Sequence, residues 1–363
     1  MTSPERVAVV GTGLIGTSIA LAARRAGDEV RGMDLDPGHA AMAAERAGIE
    51  VTGDLEGSVA DATIVVVATP VGATVDAVVR VLAANDEAIV TDVASVKHPI
   101  ATGVRARVAD ALDRARFIPG HPMGGTERTG PTWASAAVLD GIPWVVAPDE
   151  ATPEAAVAHL ETWIRRLGAA PMRIPAGRHD RLVATVSHLP QVASTALMDL
   201  AAGREAGEPD SLVLAAGCFR DLTRLAASSP DLWAEILVGN RDEVVAAIDA
   251  FVVTLTEVRD AVADGEREAV RTAFARAKEA RLALAARPKV RAGVAVLQVP
   301  IPDRPGALAE VTGTLRDVNI EDLQIVHSAE GGGGVLHITL GLDALDAATG
   351  ALEAAGHPSL RLA

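Results

Sequence analysis

The chain has 363 residues, 49% of them hydrophobic, with a formal net charge of −15. That length suits two or three domains with a sizeable core, and an acidic balance without a long Lys/Arg cluster argues against a nucleic-acid binder. The single cysteine, Cys218, excludes an internal disulfide framework and a Cys-rich metal site, and no run reaches the ~18 apolar residues of a membrane helix. Residues 1–6 lead into a strand without a signal-peptide pattern, so a reducing cytoplasm is the expected location.

Residues 6–10 form an apolar strand, followed at once by Gly11-Thr12-Gly13-Leu14-Ile15-Gly16. A helix over residues 17–26 and a strand over 29–33 come next, ending at Asp34, 23 residues after Gly11. This strand–glycine loop–helix–strand–acid order is the dinucleotide-binding pattern. Gly11 makes the tight turn, Gly13 lets main chain approach a pyrophosphate, and Gly16 lets helix and strand pack closely. The helix N-terminus offers free N–H groups to phosphates. Asp34 suits the adenosine ribose hydroxyls. Asp34-Leu35-Asp36-Pro37-Gly38 holds no cation for a 2′-phosphate, so NAD is expected rather than NADP.

Alternating elements continue. A buried strand over 62–68 leads through Thr69-Pro70, a second expected cofactor contact, into a helix over 71–84. A strand over 88–93 ends at Asp92-Val93-Ala94-Ser95-Val96-Lys97. A single helix over 98–114, a strand over 116–119, and strands over 143–147 and 171–174 around a helix over 153–167 complete a mostly parallel sheet covered on both faces. Ligands bind beyond the carboxyl ends of such strands, and Ser95 and His121 both fall there. His121-Pro122-Met123-Gly124-Gly125-Thr126-Glu127-Arg128-Thr129-Gly130 is a polar, glycine-rich stretch with one titratable ring. Alone it reads as a surface connection; its place at a strand end makes it a candidate site.

Residues 178–286 show helical periodicity and few strand signals. Ser187-His188-Leu189-Pro190-Gln191 lies here, as do Asp221 and Arg224, three apart and therefore on one helix face, a spacing that also fits an ordinary ion pair. An alanine-rich helical domain beside a nucleotide domain is a common homodimer interface. After residues 287–289 the order becomes βαββαβ, the ferredoxin-like arrangement. The expected division is a Rossmann-type α/β nucleotide domain over 1–176, an all-α substrate and dimerisation domain over 177–287, and a ferredoxin-like domain over 290–363.

Through Ser95-Val96-Lys97, His121-Pro122-Met123-Gly124-Gly125-Thr126-Glu127, Ser187-His188-Leu189-Pro190, Phe219-Arg220-Asp221-Leu222-Thr223-Arg224, Trp233 and Asn240-Arg241, the chain resembles the prephenate/arogenate dehydrogenase family of tyrosine biosynthesis. Its tail, with Asp303-Arg304-Pro305-Gly306-Ala307-Leu308 and Asn319-Ile320, looks like an ACT domain. The resemblance implies that His121 is the catalytic histidine and that Ser95 orients it and the substrate hydroxyl. It implies that Arg224, supported by Asp221, holds a substrate carboxylate, and that His188 and Glu127 line the substrate site. Two positions depart from the family: Gly124 stands where alanine is frequent, a mild change, and Gln191 where many prephenate-using members have a second histidine. The implied reaction is NAD-dependent oxidative decarboxylation of prephenate to 4-hydroxyphenylpyruvate, or of arogenate to tyrosine, without a metal. The Pro305-Gly306 loop suggests an amino-acid effector, tyrosine foremost, at Gly306 and Asn319. Two other readings share parts of the pattern: a dehydrogenase for another small hydroxy acid, and a catalytically silent NAD- or amino-acid-sensing protein. Neither needs Ser95, His121 and Arg224 together.

Overall fold

A computed structural model describes residues 3–124, 129–203, 209–286, 294–327 and 333–362. Its contacts divide the chain into two units, residues 1–260 and 261–363. The first is built on six parallel strands: β1 (Arg6–Val10), β2 (Glu29–Met33), β3 (Glu50–Thr52), β4 (Ile64–Val67), β5 (Ile89–Asp92) and β6 (Phe117–Ile118), in the order β3-β2-β1-β4-β5-β6. Successive side chains of a strand face opposite sides. Val7 and Val9 accordingly join one core with Ile19, Ile64 and Val66, while Ala8 and Val10 join a second with Val65, Val67, Val78 and Val81. Burial on both faces is why these strands read as continuous apolar runs.

The register pairs Val10 with both Met33 and Val67, and Val67 with Asp92. Gly11, Asp34, Thr69 and Ser95 therefore leave the sheet at one edge. The strand order reverses between β1 and β4, which makes the crevice there the expected nucleotide site.

Three local features differ from the sequence expectation. The segment after Asp34 holds a further helix, Pro37–Ala47, and strand β3; the Asp36 side chain caps that helix by accepting from Gly38 and His39 N–H, and Gly48 at φ +62° ends it. The single helix expected over 98–114 is two, His98–Arg107 and Ala111–Arg116, because the Asp110 carboxylate takes the N–H groups of Leu112 and Asp113 at 2.7 and 3.1 Å. The strands after residue 119 leave the parallel sheet. β7 (Gly120–Pro122), β8 (Pro143–Val146) and β9 (Ala170–Arg173) form a second sheet, with β7 antiparallel to β8 and β9 parallel to it. His121 thus lies in a short strand opposite Val145, not in a loop.

Helices Ala176–Val183, Leu189–Ala201, Gly217–Thr223, Pro230–Gly239 and Arg241–Ala263 follow, with no strand among the described residues between β9 and residue 260. A π turn, Ala184–His188, joins the first two. Pro190 has no N–H to give the carbonyl four residues earlier, and its ring crowds that carbonyl, so the backbone widens there; such π turns gather at functional sites.

The second unit carries helix Arg267–Ala286 and then β10 (Val294–Pro302), helix Ala307–Thr314, β11 (Ile320–His327), β12 (Gly333–Gly341), helix Leu345–Ala354 and β13 (Leu360–Leu362). The sheet order is β11-β12-β10-β13 and every pair is antiparallel. Leu297, Val299, Leu336, Ile338 and Leu340 pack with Val311, Leu315, Leu345 and Leu352 of the helices into its core.

Candidate active site

The nucleotide loop has the shape its glycines predict. Gly11 sits at φ +94°, and a Cβ there would stand 2.6 Å from Ala68 O; at Gly16 it would stand 1.9 Å from Gly11 O. A Cβ on Gly13 would meet nothing within 4 Å, so this face of the loop is open to a ligand. Helix Leu14–Arg25 begins immediately after Gly13, and the N–H groups of its first turn, which includes Leu14, Ile15 and Gly16, have no partners within the helix. The Asp34 carboxylate accepts from Thr12 N–H at 2.7 Å, Thr12 Oγ1–H at 2.9 Å and Asp36 N–H at 2.9 Å. A carboxylate has about four acceptor sites, so Asp34 braces the loop and keeps capacity for a hydroxyl. Asp36 is committed to its helix cap. Thr69 is half-buried at the end of β4, and its hydroxyl lies 3.3 Å from that of Thr74. These residues fit a dinucleotide whose ribose carries free hydroxyls.

Beyond β5 a buried ion pair fixes the chain. Lys97 Nζ contacts Asp92 Oδ2, both side chains fully buried, and donates to Gly120 O at 2.6 Å. Asp92 accepts Gly120 N–H and Ala94 N–H, each at 3.1 Å. Gly120 admits no side chain: a Cβ would stand 2.6 Å from Thr91 Oγ1 and 2.8 Å from Asp92 O. Its neighbour His121 is thereby pinned to the carboxyl edge of β5, where Ser95 also sits half-buried.

His121 Nδ1 lies 2.9 Å from His179 Nε2, and His179 Nδ1 lies 2.7 Å from Asp180 Oδ1. The Asp180 oxygens also take the N–H groups of Lys97 and His98, each at 2.8 Å. Burial alone would raise the Asp180 carboxyl, but the hydrogen bonds from His179, His98 and Lys97 hold it below its ordinary value. Burial, with the Lys97 ammonium nearby as a smaller contribution, drives His121 well below the usual imidazole range. His188, at the end of the π turn, is pushed down to about 4, chiefly by burial. Asn240 Nδ2 holds it, 3.2 Å from His188 Nδ1 and donating to Asp180 O at 2.9 Å, and the Trp233 ring packs edge-on at 6.1 Å. Two neutral imidazoles are therefore held around one carboxylate-anchored third.

Of the other expected site residues, Gln191 is buried next to the Arg224–Ala227 turn, its Nε2 donating to Leu225 O at 2.8 Å while Oε1 has no partner. Asp221 and Arg224 are both exposed; the helix carrying Asp221 ends at Thr223, and Arg224 opens the turn that follows. Glu127 and Gly125 lie outside the described residues. A Cβ on Gly124 would stand 2.7 Å from Ile142 Cδ1, a clash with the tip of a flexible side chain. Sequence reasoning missed His179, Asp180 and the roles of Lys97 and Asn240. Among the described residues no group of His, Cys, Asp or Glu could hold a metal ion, and no helix is long and apolar enough to cross a membrane.

Comparison with known proteins gives the family. The family model "Prephenate dehydrogenase, nucleotide-binding domain" matches residues 19–172, and "Prephenate dehydrogenase, dimerization domain" matches residues 175–276. A cyclohexadienyl dehydrogenase of Zymomonas mobilis is 32% identical over 78% of this chain and 97% of its own length. The chain belongs to the prephenate/arogenate dehydrogenase family. Another relative, a prephenate dehydrogenase of Bacillus subtilis, is 29% identical over 93% of both chains, so that match extends into the second unit. Among solved structures, the family's prephenate dehydrogenase from A. aeolicus, in complex with hydroxyphenyl propionate and NAD+, aligns with a TM-score of 0.71 at 25% identity, over 78% of this chain and 99% of that one.

Proposed function

We propose that this protein, an NAD-dependent oxidoreductase, catalyses the oxidative decarboxylation of prephenate to 4-hydroxyphenylpyruvate. The observation that carries the reading is His121: a half-buried imidazole kept neutral near pH 7, on the same sheet edge as an open nucleotide loop. Bound NAD supplies the hydride acceptor. His121 takes the proton of the ring hydroxyl, so that the oxygen lone pair forms a carbonyl as the hydride leaves the same carbon. The bond to the ring carboxylate then breaks, CO2 departs, and His121 returns its proton to the phenolate oxygen of the aromatised ring. Ser95 orients the hydroxyl, Arg224 with Asp221 receives a substrate carboxylate through a guanidinium fork, and His188, Gln191 and Glu127 line the substrate site. Gly11, Thr12, Gly13, Leu14, Ile15 and Gly16 with Asp34, Thr69 and Pro70 hold the cofactor. Purified protein should reduce NAD+ with release of CO2 when given prephenate; no NADH with either prephenate or arogenate would refute the assignment.

Gln191 favours arogenate as a second reading. Its amide nitrogen faces Leu225 O, which turns a bare acceptor oxygen the other way, and a bare acceptor suits an ammonium better than a keto group. Side-by-side kcat/KM values decide between the substrates. Arg224→Ala is expected mainly to raise KM for either one; an unchanged KM would remove Arg224 from substrate binding.

Exposed Val252, Val253, Leu255 and Val262 on helix Arg241–Ala263 support assembly of this segment as a homodimer, checked by light scattering. For residues 290–363 the βαββαβ order and fully antiparallel sheet support an ACT-like, ferredoxin-like module. Gly306, at φ +89° ahead of helix Ala307–Thr314, leaves main chain bare for an amino acid's carboxylate; Asn319, whose Nδ2 donates to Glu321 at 2.7 Å, is exposed nearby in sequence. Tyrosine is the proposed effector. Calorimetric binding with loss of activity is the expected result, and neither effect at any concentration would leave a structural or dimerising module.

A further inference from the structure

We propose that His179 and Asp180 are positioning residues that set the tautomer of His121, making Nε2 the atom that accepts the substrate's hydroxyl proton. The inference rests on the reading of His121 as the base and adds which of its two nitrogens acts, and why.

A carboxylate only accepts hydrogen bonds, and both Asp180 oxygens are fixed by the N–H groups of Lys97 and His98. The 2.7 Å contact from Asp180 Oδ1 to His179 Nδ1 therefore places a proton on that nitrogen. In the neutral state of His179, which carries one ring proton, Nε2 is bare and can only accept. Its 2.9 Å contact with His121 Nδ1 then places the His121 proton on Nδ1, and the remaining nitrogen, Nε2, is left with its lone pair.

Only one alternative satisfies the same distances. If His179 were an imidazolium, its Nε2–H would donate to His121 Nδ1, and neutral His121 would carry its proton on Nε2 and be useless as a base there. The charge on the Asp180-anchored His179 thus decides between a competent and an incompetent His121, and the neutral state gives the competent one. The Asp180 and His179 side chains are about 1% exposed, so water does not compete for their hydrogen bonds. The same Asp180–His179 row serves the charged state: once His121 has taken the substrate proton, its Nδ1–H still points at an acceptor backed by a carboxylate, as an aspartate backs the histidine of a serine-protease triad.

The test uses the full-length protein labelled with 15N-histidine. Loss of a signal in His121→Asn assigns the His121 ring, and nitrogen shifts report which atom is protonated near pH 7.5. The expected state is protonated Nδ1 and bare Nε2. His179→Leu should scramble this pattern and lower kcat by ~10²-fold or more, short of the ~10⁴-fold cost of a wrong tautomer in the serine-protease case, with both KM values within about two-fold of wild type. His179→Gln, whose amide oxygen can accept from His121 and whose amide N–H can donate to Asp180, should restore most of that loss. Wild-type His121 protonated on Nε2, or a His179→Leu enzyme with normal kcat, would overturn the proposal. The tautomer is read without turnover, so it holds or fails even if His179→Leu does not fold. Failure of the base reading shows separately, as normal kcat in His121→Asn.

Discussion

Replacing His121 with asparagine is expected to lower kcat at least ~10²-fold, the lower end of what a positioned base contributes, while NAD affinity stays near wild type. Asparagine keeps a polar side chain of similar reach toward His179, but its amide has no basicity at neutral pH. The nucleotide loop is braced by Thr12 and Asp34 and does not depend on residue 121. The pH profile gives a second check. Burial holds His121 well below the ordinary imidazole value, so its neutral, accepting form persists below pH ~6.5. The acidic limb of kcat/KM attributable to His121 should therefore lie below that pH, with the rate falling as pH drops through it. That limb should disappear in the residual activity of His121→Asn. Stability follows the same sign at His188, pushed down to about 4: between the ordinary value and that one the unfolded chain binds more protons, so acidification across this window destabilises the fold. A near-normal kcat in His121→Asn would remove it from its role.

How far these features can be read from sequence depends on whether their causes are local. The glycine loop was legible because each constraint acts within a few residues: Gly11 needs a positive φ, and Gly16 must leave room for Gly11 O. The βαββαβ tail was legible because alternating apolar positions and a helix period suffice to write its order. The neighbourhood of His121 was not. Its strand is three residues long and exists only by pairing with residues 144–146, a contact no local pattern announces. His179 and Asp180 sit within Arg178-His179-Asp180-Arg181, a charge run that reads as solvated helix surface, yet the middle two are buried. Their burial arises because the N–H groups at the start of helix His98–Arg107 are satisfied by a carboxylate from another helix, a long-range event. The spacing of the acid at 221 and the base at 224 suggested one continuous helix, whereas the α-helix ends at Thr223 and a tighter helical turn begins at Arg224.

Lys97→Ala is expected to destabilise the folded protein by roughly 3–5 kcal/mol, the cost of leaving one partner of a buried pair alone. Lys97 Nζ is the cation facing Asp92, and both side chains are fully buried. Burial already lowers the Lys97 ammonium and raises the Asp92 carboxyl, each opposed by the charge of the other. Without the ammonium, Asp92 must stay charged in an apolar setting or take up a proton, and Gly120 O loses its donor. The loss should appear as a lower urea midpoint and a lower Tm, with stability recovering in part at acid pH as Asp92 protonates. Removing both charges separates electrostatics from shape. Lys97→Met with Asp92→Asn fills the lysine channel and keeps one amide oxygen, enough to accept from Gly120 N–H or Ala94 N–H but not from both, so the double variant should regain part of the stability lost in Lys97→Ala. It should not regain full kcat, because Lys97 also ties Gly120 O, and that tie aims the adjacent His121 at the crevice. Lys97→Ala as stable as wild type would show that the pair contributes nothing net. Full activity in a stable double variant would show that the position of His121 is set by β7 pairing and His179 alone.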